Sequence, residues 1–384
     1  MKSKTRLVSI TLFLSAFIIL LLFGQQEAKW KGEIVIEDGV KIIKNPNEPL
    51  YGEIILELEE DLSIGREDDW NYLFYRVSDI AVDSQDNIYV ADMGNCRIQK
   101  FDQNGKYLQT IGRKGQGPGE FQSPTKIFID KNDNLYVKDQ RKINKFNKNG
   151  KFLKKVPFQY PTFEIPIPGF STFYFLVTQG GDVFAPVLVF SKSGVYNCIV
   201  RMNSEGKISK EIDRFLDKNI EIKGSTSRGT MGGVAHPYLP KLICSSSKGE
   251  KFIYGFSSEY KFFIIDKEGS KVLRILKEEK PVPLTRKEKR KKMPSYRPFF
   301  SKIIADEKGR IWVERLKDIS DESNEREIDI FGSDGRYLYH TKSPHSPEII
   351  KKGYIYFIIF AEDSTEVSIK KYKIKNWNQI KEDI

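Results

Sequence analysis

The sequence predicts an all-β fold: a six-bladed β-propeller of four-stranded antiparallel blades, its ring closed by an N-terminal outer strand that completes the last blade. Three observations predict it. Residues 65–92 recur at residues 112–139, an offset of 47, and a repeat of that length carrying four short strands is the signature of propeller blades. Phe and Tyr are abundant, at 26 and 18, and aromatic residues favour strands. The last repeat lacks a fourth strand, whereas a surplus strand precedes the first.

The blades follow in chain order. Ser78-Asp79-Ile80-Ala81-Val82-Asp83-Ser84-Gln85-Asp86-Asn87-Ile88-Tyr89-Val90-Ala91-Asp92 aligns with residues 125–139, so Asp83 falls on Asp130, Asn87 on Asn134, Tyr89 on Tyr136 and Asp92 on Asp139. Each unit reads as a strand (80–82), a turn of Asp, Ser, Gln and Asn residues (83–87), a second strand (88–90), a third (97–101) closed by Asp102-Gln103-Asn104-Gly105, and a fourth (107–111); these turn residues accept tight-turn geometry. Looser copies start near Gly181, Glu250, Ile304 and Pro347. The sixth holds strands at 347–350, 354–360 and 367–373 only. The 47-residue offset places 54–64 on the third-to-fourth-strand region, so this segment supplies the missing strand and removes the open edge of a linear array. Segments 156–172 and 214–240 depart from the pattern, and no strands are assigned there.

Hydrophobic residues make up 39% and charged residues 30%, the balance of a soluble globular chain. Residues 1–28 read as an export signal: Lys2, Lys4 and Arg6 precede the uncharged run Leu7–Phe23, which is near the lower limit for crossing a bilayer. Gly24 and Gln26 occupy the −3 and −1 positions of a weak cleavage site, and an uncleaved N-terminal membrane anchor is the alternative. Residues 29–49 form an N-terminal extension and 50–384 the propeller. The expected location is periplasmic, secreted or anchored on the extracytoplasmic side. Net charge is +11, and +8 without the three leader charges; this suits solubility without specifying a partner. Cys96, Cys198 and Cys244, odd in number and far apart, read as buried thiols, with a Cys198–Cys244 bridge as the alternative.

The stretch Ile111-Gly112-Arg113-Lys114-Gly115-Gln116-Gly117-Pro118-Gly119-Glu120-Phe121, followed by Pro124 and Asn134-Leu135-Tyr136-Val137-Lys138-Asp139, resembles the NHL-repeat signature. The chain resembles the exported bacterial six-bladed propellers of that type, closely over 50–155 and loosely to 375. The resemblance implies a bacterial, extracytoplasmic propeller of a kind mostly without an assigned function, and it also admits catalysis, because such propellers include zinc-dependent lyases and calcium-dependent lactonases.

In a four-stranded blade, the loop leading to the next blade shares a face with the loop between second and third strands. That face collects the candidate ligand contacts Trp70, Asp92, Arg97, Arg113, Asp139 and Arg141. Against this, Asp92 and Asp139 recur because the fold recurs, and turn-holding hydrogen bonds explain them; Arg97 reads equally as a partner for a neighbouring blade. The Gly115–Gly119 stretch leads to a strand, not a helix N-terminus, and so reads as an inter-blade loop instead of a phosphate site. No catalytic set and no metal site are assigned: His236, His340 and His345 lack metal-ligand spacing, and no nucleophile elbow is present. No cofactor is expected, although calcium needs only oxygen ligands. The basic run 286–292 reads as a surface loop; an exported chain meets lipid or acidic glycan sooner than nucleic acid. The resulting expectation is a monomeric binding module that presents one loop face to a protein, peptide or glycan. A divalent-metal hydrolase or lyase, lactonase-like, with its site at the channel mouth, is the second reading.

Overall fold

Local hydrogen bonding explains why the repeat residues are what they are. After the innermost strand of blade 1, Asp83 accepts from the backbone N–H of Gln85 (3.0 Å) and Asn87 (2.9 Å), from the Asn87 side chain (2.8 Å) and from the Tyr89 hydroxyl (3.2 Å). Asp130 does the same with Asn132, Asn134 and Tyr136 in blade 2, and Asp306 with Lys308, Arg310 and Trp312 in blade 5. The turns before the fourth strands of blades 1 to 4 are built alike: Asp102, Asn147, Asn203 and Asp266 each accept two backbone N–H groups, and a left-handed glycine follows, as at Gly105 (φ 79°).

The computed structural model describes residues 29–140, 142–157, 175–178, 180–191, 193–217, 220–223, 230–233, 238–247, 251–286, 288–289, 293–361 and 366–383. Strands β1 (Glu33–Glu37), β2 (Val40–Asn45) and β3 (Leu58–Ile64) precede the first complete blade. Blade 1 is β4 (Val77–Val82), β5 (Ile88–Asp92), β6 (Arg97–Phe101) and β7 (Tyr107–Ile111). Blade 2 is β8 (Pro124–Ile129), β9 (Leu135–Asp139), β10 (Lys142–Phe146) and β11 (Phe152–Pro157). Blade 3 is β12 (Leu176–Val177), β13 (Val183–Ser191), β14 (Gly194–Met202) and β15 (Ile208–Asp217), followed by the hairpin β16 (Ile220–Lys223) and β17 (Thr230–Gly233). Blade 4 is β18 (Leu242–Ser247), β19 (Lys251–Phe256), β20 (Lys261–Ile265) and β21 (Lys271–Lys277). Blade 5 is β22 (Phe300–Ala305), β23 (Ile311–Arg315), β24 (Arg326–Phe331) and β25 (Tyr337–Ser343). Blade 6 is β26 (Ile349–Lys351), β27 (Tyr354–Phe360) and β28 (Val367–Ile374), with β3 as its outermost strand.

The ring closes as the sequence predicts. β3 pairs antiparallel with β28, Ile64 opposite Ile369 and Leu58 opposite Ile374. Charge complements the pairing: Glu59, Glu60 and Asp61 meet Lys375 (3.1 Å), Lys370 (3.0 Å) and Lys371 (2.6 Å). Apolar layers lie between neighbouring blades. Ile64, Phe74, Ile80 and Phe101 pack with Tyr356 and Ile369 across the closure, and Trp312 and Ile330 pack with Phe357 and Trp377 between blades 5 and 6.

The N-terminal extension adopts strand structure. β2 runs parallel to β21, and β1 pairs with β2, which widens blade 4 to six strands. Asn45 ends β2 between two blades: its amide donates to the carbonyls of Leu276 (3.2 Å) and Gly335 (2.9 Å), and its oxygen accepts Tyr337 N–H (2.7 Å). Residues 50–54 then follow β25, bonding to the backbone of Tyr337, Leu338 and His340. Beneath this strap lies a charged cluster. Asp329, with no exposed surface, accepts from Lys277 (2.7 Å), the Tyr337 hydroxyl (2.6 Å), the Tyr260 hydroxyl and His340 Nδ1 (3.0 Å). Burial works to raise the Asp329 pKa, but the His340 hydrogen bond and the Lys277 charge outweigh it, and the carboxyl is held well below its ordinary range.

The three cysteines are free thiols, so the Cys198–Cys244 bridge does not form. In 214–240, where no strand is assigned from sequence, β15 continues to Asp217 and the β16–β17 hairpin follows. The leader 1–28, Arg141, His236, and residues 287 and 290–292 of the basic run lie outside the described residues. Within that run Glu288 accepts from Thr285 N–H (2.7 Å) and from Arg297 (2.6 Å).

Candidate functional site

Three of the predicted contacts face inward. Asp92 and Asp139 have no exposed surface and Arg97 is 3% exposed. Asp92 accepts Tyr75 N–H (3.0 Å), the Asn95 amide (2.8 Å) and Arg97 Nε (2.9 Å). Asp139 accepts Gln122 N–H (3.1 Å) and Ser123 N–H (2.7 Å) and pairs with Lys142 (3.2 Å). Each aspartate ends a second strand and holds the loop that enters its own blade, so its oxygens are committed to the fold. Lys142 is the counterpart of Arg97, because the turn after Asp139 is two residues shorter than the turn after Asp92. Trp70 and Arg113 do reach solvent. Arg113 pairs with Glu120 (2.9 Å), whose other oxygen accepts Gly117 N–H (2.8 Å). The glycine-rich stretch thus closes on its own carboxylate, as expected of an inter-blade loop. The Gly117 amide and then Arg113 keep the Glu120 carboxyl below its ordinary pKa.

A concave site lies on the opposite face, where the turns after the innermost strands converge. A bowl of about 850 Å³ is lined from all six blades; Ser84, Lys131, Lys267, Glu307 and Lys351 are among its polar residues, together with Ser246 and the aspartates Asp83, Asp130, Asp133 and Asp306. Lys351 donates to the carbonyls of Val82 (2.9 Å) and Asp83 (2.7 Å), and Ser84 donates to Asp133 (2.6 Å), so these groups stitch neighbouring blades together. Burial lowers the Lys351 pKa. Lys131 and Lys267 are exposed. One oxygen of Glu307 is buried with no hydrogen-bond partner, a state that costs about 1–3 kcal/mol or more.

Further along the channel a second cavity of about 280 Å³ shares wall residues with the bowl. On four consecutive blades its wall carries a charged girdle of Asp79, Lys126, Lys302 and Glu348. Lys302 donates to Glu348 (2.7 Å) and Pro347 O (2.9 Å), and Lys126 donates to Asp79 (2.7 Å). Asp79 also accepts Ile127 N–H (2.8 Å); burial raises its pKa, opposed by Lys126. Blades 3 and 4 contribute Phe175, Cys244, Ser245 and Ser246. The girdle went unread in the sequence although it left a signal: Asp79, Lys126 and Lys302 each stand four residues before a turn aspartate (Asp83, Asp130, Asp306), at a position the repeat lets vary. Among the described residues no three His, Cys, Asp or Glu side chains converge as a metal site requires. His340 is held by Asp329, and His345 packs edge-on against Phe357 at 5.6 Å.

A family model described as 6-bladed beta-propeller matches residues 68–180. Residues of the chain align with the protein brain tumor of Drosophila melanogaster at 30% identity over 86 residues, which is 21% of this chain and 8% of that protein's length. Two solved structures share the fold over most of both chains. One, a protein of Bacteroides fragilis described as exported, has a TM-score of 0.53 at 16% identity, covering 87% of this chain and 99% of its own. The other, from the duf4221 family in Bacteroides vulgatus, has a TM-score of 0.53 at 13% identity, covering 83% and 98%. At these identities the likeness extends to the fold alone, and the fold is that of an all-β, six-bladed propeller.

Proposed function

We propose that this protein is an exported binding module that seats a polar, extended ligand, such as a peptide segment, in the bowl on the face of the innermost-strand turns. The observation that carries the reading is the bowl, whose wall is drawn from all six blades. Its volume falls in the range of ligand sites, and its wall combines apolar strand residues with polar and charged turn residues. Lys131 and Lys267, both exposed, suit carboxylates or backbone carbonyls. The girdle supports binding over chemistry, since its four charged groups already neutralise one another in pairs. The test is a peptide array probed with the purified protein and with Ala305→Trp, which fills the bowl. Binding by the parent that the Trp variant loses supports the reading. Equal binding by both removes the bowl as the seat, and stoichiometric zinc or calcium retained through dialysis favours the hydrolase reading instead.

A further inference from the structure

On the face opposite the bowl, the loop between β3 and β4 presents Trp70, which is 61% exposed. The loop is held with unusual thoroughness for a segment that ends in an exposed side chain. The Arg97 guanidinium lies 4.5 Å from the centre of the indole ring. One of its nitrogens donates to the carbonyls of Trp70 (2.9 Å) and Leu73 (2.7 Å), and Nε donates to buried Asp92 (2.9 Å). Asp69 caps the turn: its carbonyl accepts Tyr72 N–H (2.8 Å) and Leu73 N–H (2.9 Å), and its carboxylate accepts Asn71 N–H (2.9 Å). Gln99 donates to Asn71 O (3.0 Å). A buried ion pair and a chain of hydrogen bonds thereby fix the backbone that carries a large exposed ring, and the Arg97 guanidinium lies against that ring. Holding such a ring rigid before any partner arrives removes the ordering cost of binding, and stability alone does not account for it.

The chemistry of the platform narrows its ligand. Arg97 covers one face of the indole, so a cation approaching the open face is repelled through the ring. A neutral ring with a flat C–H face is accepted. Exposed Arg66, Glu67, Asp68 and Arg76 stand nearby in the same loop, with donors and acceptors for hydroxyl groups. A single aromatic plate with a charged surround is small beside the roughly 800 Å² per partner of a stable protein interface; it matches one sugar ring. We propose that Trp70 is the stacking platform of a carbohydrate subsite that takes a neutral pyranose unit of a glycan chain. The subsite is separate from the bowl, since β4 crosses the channel wall between them.

The experiment probes an array of neutral gluco-, manno-, galacto- and xylo-hexaoses with the purified protein, then titrates the strongest binder by calorimetry. Trp70→Ala is expected to raise Kd about tenfold or more, Trp70→Tyr to retain part of the affinity, and Ala305→Trp to leave it unchanged. Because Trp70 is exposed, its variants keep the fold, which the buried Trp312–Trp377 stack reports through near-UV circular dichroism. Absence of binding to every hexaose overturns the proposal, as does undiminished binding by Trp70→Ala. Loss confined to Ala305→Trp assigns the sugar to the bowl and overturns it as well.

Discussion

Replacing Asp329 by Asn keeps the shape of the side chain and removes its charge from beneath the N-terminal strap. Lys277, 1% exposed as a side chain, then retains only Glu279 at 3.0 Å as a counter-charge, and the Tyr260 and Tyr337 hydroxyls lose a charged acceptor. Removing one partner of a buried pair costs about 3–5 kcal/mol; the remaining Glu279 contact places the expected loss near 3 kcal/mol, or roughly 6 °C in melting temperature at about 2 °C per kcal/mol for a chain of this size. The pH dependence follows from the direction of the shift. A carboxyl whose folded pKa is depressed contributes its full stabilisation above the unfolded value, near 3.9, and loses it as pH falls toward the folded value. The Asp329 contribution to the gap between the parent and Asp329→Asn therefore shrinks below about pH 4. Melting curves of both proteins across pH 3–8 measure it. A loss under about 1 kcal/mol at pH 7, or a gap unchanged at pH 3, refutes the reasoning.

Glu60→Lys sets a fourth positive charge against Lys370, Lys371 and Lys373 at the ring closure; the expected loss is about 1 kcal/mol and shrinks at high salt, and equal melting shifts at 20 and 500 mM NaCl would count against it. Gly335→Ala is expected to cost more than Gly309→Ala, because both residues have left-handed φ (91° and 89°) but only at Gly335 does a Cβ come within 2.9 Å of Ile275. Thermal melts rank the two, with the φ term common to both at roughly 1–2 kcal/mol, and a reversed order would be inconsistent with the packing. Thiol titration is expected to find three reactive cysteines in the denatured chain and slow reaction in the native one, since burial pushes Cys198 up to about 12 and Cys244 well above its ordinary value. Rapid native labelling of Cys198 contradicts that burial.

The parts of the protein legible in the sequence are those built within a few residues. Asp83, Asn87 and Tyr89 bond to one another across one turn, so their recurrence as Asp130, Asn134 and Tyr136 exposes the blade. The closure strand was legible because a missing fourth strand at one end and a surplus one at the other have a single remedy in a ring. Residues 33–45 showed no repeat, and only the assembled blade 4 reveals β21 as their partner. The functional surface divides in the same way. Asp92 and Asp139 recur because they hold loops, and the structure buries them, whereas Trp70 carries no repeat constraint and stays exposed. Which face would be concave was not legible. The bowl and the girdle gather Asp79, Lys126, Glu307 and Glu348 from strands far apart in the chain, and their distances follow from how six wedges close around an axis. Local propensity and turn chemistry therefore determined the blades, their order and their closure by sequence alone. Only the tertiary structure decided which charges face the channel and which are neutralised inside the walls, because the radial position of a side chain is a property of the closed ring.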